Sequence, residues 1–91
     1  MGRRRSRTEL VCEVMETISS GIHKPTHILY DTRVSWNVYK EIIEMLQEKN
    51  LIEEVASNET STRNKVKYYL TDDGKETLEG MQFMKEVFAP A

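Results

Sequence analysis

The apolar residues of this chain change period at Asn50, and that change limits it to a mixed fold. Upstream they recur every three or four residues, the spacing that gathers side chains on one helical face. Downstream, Val66, Tyr68 and Leu70 alternate with Lys67 and Tyr69, as in a strand covered on one side. The upstream half predicts three helices. Leu10, Val11, Val14, Met15 and Ile18 share one face of a helix from Thr8 to Ser20, which Ser19, Ser20 and Gly21 end. Pro25 suits the start of a second, short helix reaching about Tyr30, since an amide there has no intrahelical partner to lose. Asp31, Thr32 and Arg33 read as a turn. Ser35 is placed to cap a third helix reaching about Lys49. On it Val38, Tyr39, Ile42, Met45 and Leu46 share a face, Trp36, Lys40 and Gln47 point the other way, and Asn37 and Glu44 lie on the flank. Asn50 can adopt the left-handed conformation that closes it.

Beyond Asn50, the run from Leu51 to Val55 is β-compatible and the run from Ser57 to Asn64 is polar and turn-rich. With the alternating run from Val66, they predict a β-hairpin with a long tip. Thr71 is placed to cap a last helix, with Asp72 and Asp73 in its first turn, where the macrodipole favours acids. Leu78, Met81, Met84 and Phe88 form one stripe on it, but Phe83 and Val87 lie well round the cylinder. One small core cannot cover both.

At 91 residues, 38% hydrophobic and 31% charged, the chain has the length and balance of one globular domain with a thin core. Its apolar runs are far below the roughly 20 residues needed to span a bilayer, and no signal-peptide pattern follows the basic start, so a cytoplasmic, nucleoid-associated protein without a membrane partner is expected. Cys12 is the single cysteine, which excludes an internal disulfide. It lies off the apolar face of the first helix, at an exposed or interface position, where a reduced thiol is expected over an intersubunit disulfide.

The formal net charge is −2, yet the charges are blocked. Arg3, Arg4, Arg5 and Arg7 open the chain; Lys24, Arg33 and Lys40 outnumber Asp31 around the second and third helices; Arg63, Lys65 and Lys67 outnumber Glu59 in the hairpin. The remaining acids lie elsewhere, so a basic and an acidic surface on one domain is expected.

Three helices, the second and third joined by a tight turn, then a hairpin and a terminal helix, is the order of a winged helix-turn-helix domain. The run Lys24, Pro25, Thr26, His27, Ile28, Leu29, Tyr30, followed by Val34, Ser35, Trp36 and Asn37, resembles small archaeal winged-helix transcription regulators. Leu46, Asn50, Leu51 and Ile52 resemble the end of that family's recognition helix, with Asn50 where glycine is commoner, and Tyr69, Leu70, Thr71 and Gly74 its second wing strand and following helix start. The resemblance covers roughly residues 8–88. It implies an α+β winged helix-turn-helix fold with a two-stranded wing and a C-terminal dimerisation helix, in a DNA-binding transcription regulator that is a homodimer.

On this reading residues 1–7 are a basic arm, 8–73 the DNA-binding domain and 74–91 the dimer element. Thr26, Arg33, Ser35, Trp36, Asn37 and Lys40 are the expected DNA contacts of the helix-turn-helix. A helix in the major groove must carry hydrogen-bonding side chains near its N-terminus, and asparagine can read an adenine edge, lysine a guanine or phosphate. Arg63, Lys65 and Lys67 in the wing and Arg3, Arg4 and Arg5 in the arm suit phosphates or the minor groove. Leu78, Met81, Phe83, Met84, Val87 and Phe88 are the expected dimer interface. No cofactor or metal is expected: His23 and His27 are four apart, but Pro25 interrupts the helix that would pair them. No nucleophile elbow, phosphate loop or catalytic His/Cys pairing appears, so no enzyme is expected. The rival class is a winged-helix interaction module within a larger transcription or chromatin assembly, which a positive patch broken by Glu41, Glu44 and Glu59 would favour.

Overall fold

A computed structural model describes residues 5–56 and 66–88. Its order is α1 (Arg7–Ser19), α2 (Pro25–Thr32), α3 (Trp36–Glu48), β1 (Ile52–Ala56), β2 (Val66–Leu70) and α4 (Asp72–Phe88), the expected α+β arrangement.

Each boundary has a local cause. Ser6 and Glu9 form a reciprocal capping box at α1, the Ser6 hydroxyl accepting from the Glu9 amide at 3.1 Å and the Glu9 carboxylate from the Ser6 amide at 2.7 Å. At its other end Gly21 adopts φ 110°, and the Gly21 and Ile22 amides close back on the Ile18 and Thr17 carbonyls. The same closure ends α3 with Asn50 at φ 61°, its amide on Gln47 O and that of Leu51 on Leu46 O. α2 runs further than its sequence suggested. Asp31 and Thr32 are helical, and only Arg33, at φ 58°, makes the turn.

The hairpin is antiparallel, with Ile52 opposite Leu70 and Ala56 opposite Val66. The free edge of β2 takes one further bond, from the Tyr68 amide to His23 O, so the loop before α2 braces the wing. The core gathers Val14, Met15 and Ile18 of α1, Ile28 of α2, Tyr39, Ile42, Ile43 and Leu46 of α3, Ile52 and Leu70 of the hairpin, and Leu78 of α4. The buried face of α3 is thus turned toward Ile43, and Val38 and Met45 lie half-buried at its margin. Tyr39 is buried, its hydroxyl has no hydrogen-bond partner among the described residues, and burial, then the neighbouring Tyr68, pushes its pKa up.

α4 is locked to the hairpin at its first turn. Thr71 Oγ1 donates to Asn50 O at 2.8 Å and accepts from the Gly74 amide at 2.9 Å, and the Thr71 amide reaches Leu51 O. At Gly74 a Cβ would lie 2.0 Å from Leu51 O, a backbone atom that these bonds hold in place. Gly74→Ala is therefore expected to destabilise the fold by about 2–3 kcal/mol despite alanine's better helix propensity, a fall in Tm of roughly 8–24 °C for a domain of this size. Thermal unfolding measures it, and an unchanged Tm would mean that α4 slides freely on the hairpin.

Candidate nucleic-acid interface

The start of α3 is built to present side chains outward. The Ser35 hydroxyl accepts from the Val38 amide at 3.2 Å, which fixes the first turn. From that cap Asn37 and Lys40 are exposed, while Trp36, 56% exposed, stacks on the buried Tyr39 with centroids 5.7 Å apart. One face of the indole is anchored and the rest is open. Glu41, one residue past Lys40, meets Arg7 of α1 at 2.6 Å. Both partners are largely exposed, so the pair adds little stability, but it offsets the first acid on the outer face of α3.

Thr26 is exposed in the first turn of α2 and Arg33 is exposed in the turn that follows α2. Tyr30, which the sequence placed only at the end of α2, is 74% exposed one turn beyond Thr26. Its signal was available: with Ile28 and Thr32 inward, the helical period puts residues 26 and 30 on one outer flank.

In the hairpin Lys67 is half-buried on β2, opposite Val55. His23 secures this strand with its ring as well as its carbonyl: Nδ1 donates to Tyr68 O at 2.9 Å and the ring stacks on Tyr69 at 4.1 Å. Arg3, Arg4, Arg63 and Lys65 lie outside the described residues.

Arg5, expected along a DNA backbone, also has partners in its own chain. Its guanidinium is engaged within the chain, donating from Nη1 to Glu13 Oε1 at 2.5 Å and to Thr32 O at 2.9 Å, and from Nη2 to Arg33 O at 3.3 Å.

In α4, Leu78 is 5% exposed and belongs to the core of its own chain, which corrects its place in the expected dimer interface. Met81 is partly buried against the same core. Phe83, Met84, Val87 and Phe88 are all more than half exposed, so the apolar stripe leaves the core after one turn. A groove of about 800 Å³ runs beside it, lined by Thr8 and Cys12 of α1 and by Thr77, Met81, Met84 and Phe88 of α4, among others. Cys12 is buried here, 1% exposed, and not at the surface. Burial, then the Glu16 carboxylate whose Oε2 lies 3.6 Å from Sγ, raises its pKa, which keeps the thiol protonated and slow to oxidise.

Among the described residues no cluster of three or more His, Cys, Asp or Glu is arranged to hold a metal, and no helix is long and apolar enough to cross a membrane.

A family model described as winged helix-turn-helix matches residues 4–88. No curated protein matches the chain. Among solved structures, smu.1704 from Streptococcus mutans UA159 superposes with a TM-score of 0.86 at 15% identity, over 97% of this chain and 86% of that one. A PadR family transcription regulator from Clostridium difficile R20291 gives 0.72 at 23% identity, over 86% and 92%. A mutant MarR from E. coli complexed with operator DNA gives 0.69 at 17% identity, over 82% of this chain and 53% of that one. At these identities the likeness is one of fold.

Proposed function

Since the chain belongs to the winged helix-turn-helix family, we propose that it is a sequence-specific double-stranded DNA-binding regulator of transcription, acting as a homodimer. The observation that carries this is the exposed start of α3, where Asn37 and Lys40 stand clear of the core and Trp36 keeps an open face behind a fixed N-cap. An α-helix fits the major groove, and side chains near its N-terminus reach base edges. Asn37 pairs with an adenine edge, Lys40 with a guanine or phosphate, and the open part of Trp36 packs on a sugar or thymine methyl. Thr26, Tyr30, Arg33 and Ser35 donate to phosphates on either side. Lys67, with Arg63 and Lys65, extends the contact along the backbone or into the minor groove, and Arg3 and Arg4 do so from the N-terminal side.

The acids of α3 set how the helix lies. Glu41 is offset by Arg7, but Glu44 and Glu48 are exposed further along, so the N-terminal half enters the groove and the C-terminal half tilts away. The exposed residues of α4 bring two protomers together. Two recognition helices then fall about 34 Å apart, and the site is a pseudo-palindrome. The PadR and MarR proteins of like fold are themselves described as a transcription regulator and as bound to operator DNA, which supports the same class here.

Selection from a random duplex pool tests this. The purified protein is expected to enrich a palindromic sequence, and Asn37→Ala to lose about 1–3 kcal/mol on it, mainly at one base position in each half-site. A pool that stays random after repeated rounds would leave the interaction-module reading as the better one.

A further inference from the structure

Arg5 lies where α1 meets the end of α2 and the turn after it. Its guanidinium joins Glu13, midway along α1, to the carbonyls of Thr32 and Arg33, the last helical residue of α2 and the turn residue after it. α2 carries no basic residue in its last turn. A cation is favoured there by the helix dipole and by the carbonyls that have no intrahelical donor. Arg5 supplies it from another element, and its planar fork suits several oxygen acceptors at once. The turn it grips needs holding, because Arg33 has φ 58° and is not glycine. Two residues later comes Ser35, the N-cap that sets the start of α3.

We propose that Arg5, oriented by Glu13, is a positioning residue for DNA recognition: it fixes the α2–α3 turn, and with it the placement of Trp36, Asn37 and Lys40, without touching a phosphate. The proposal rests on the DNA-binding function above, but half of its test needs no DNA. In the free protein, Arg5→Ala is expected to speed amide hydrogen exchange at Arg33 and Thr32 by about tenfold or more, with the amides of β2 unchanged. Against the duplex recovered by selection, its affinity is expected to fall about tenfold. Against a random-sequence duplex of equal length it should change less than twofold, and the salt slope for both should be that of the unaltered protein. Removing an arginine that neutralises a phosphate would instead flatten that slope by about 0.9 per phosphate and weaken both duplexes alike.

Glu13→Gln separates positioning from charge, and it leaves Arg5 in place should Arg5→Ala fold poorly. It makes the protein more positive, so a Coulombic role for Arg5 predicts tighter binding to both duplexes. Positioning predicts weaker binding to the selected duplex alone, with faster exchange in the turn. Arg5→Lys, which keeps the charge but loses the fork, is expected to fall between Arg5→Ala and the unaltered protein in both readouts. Unchanged exchange in the turn, or a flattened salt slope, overturns the proposal. Failure of the unaltered protein to bind any duplex overturns the DNA function instead, while the exchange measurements still report on the clamp.

Discussion

Affinity for the selected duplex is expected to fall by about 10³–10⁵ between roughly 50 and 200 mM salt. Cations that neutralise phosphates release condensed counterions, and each such pairing contributes about −0.9 to the slope of log K against log salt. Roughly 6–10 pairings across a dimer, a slope of about −5 to −9, are within reach of Arg33, Lys40 and Lys67 on each protomer together with Arg3, Arg4, Arg63 and Lys65. Arg5 and Arg7 are not counted because Glu13, Glu41 and two carbonyls already hold them. The formal charge of −2 does not oppose this, since screening limits each charge to about 10 Å at 0.1 M salt and distant acids count little, while Glu44, one turn from Lys40, is the acid whose repulsion the tilt of α3 must relieve. Fluorescence anisotropy across a salt series measures the slope. A flat response on every duplex tried would remove arm, turn and wing from the interface together.

Periodicity reports one face of a helix at a time, and this decided what the sequence made legible. The element order, the Pro25 and Ser35 starts and the left-handed Asn50 all follow from local chemistry and needed no tertiary information. α1 was harder, because it packs against α2, α4 and β2. Cys12 lies off its apolar stripe and Thr17 is a polar residue at its edge, yet both are buried, Thr17 Oγ1 donating to Asp31 Oδ2 at 2.9 Å and Cys12 lying beneath α4. The Thr17–Asp31 contact also accounts for the longer α2, since a turn at Asp31 would break it, and Thr32 Oγ1 bonds Ile28 O one turn back. Residues of the exposed site were easier to find than their partners. Trp36, Asn37 and Lys40 follow from a helix that must keep its polar face in water, whereas the grip of Arg5 on the α2–α3 turn joins residues 27 and 28 positions apart. No local pattern encodes that separation.

The C-terminal half of α4 makes the other large effect. Phe83, Met84, Val87 and Phe88 are each more than half exposed, and they adjoin a groove whose lining is mostly apolar. Exposed singly, such residues are ordinary; four within six positions form a contiguous patch of the kind that marks an interaction surface. Placing carboxylates there, as Phe83→Glu with Phe88→Glu, is expected to convert the protein to a monomer in sedimentation equilibrium at micromolar concentration. The folded protomer should persist, because neither side chain belongs to the core. On DNA the consequence is loss of bivalency. Two half-sites engaged through one dimer gain roughly 10²–10⁴ in apparent affinity over one, so binding to the full palindrome should weaken by about that factor while binding to an isolated half-site stays within a few-fold. The comparison of the two duplexes matters more than either alone, since added acids also repel phosphates and would weaken both equally if they lay near the DNA. An unaltered protein that sediments as a monomer at these concentrations would sink the two-fold geometry, and would leave the apolar face of α4 to a different partner.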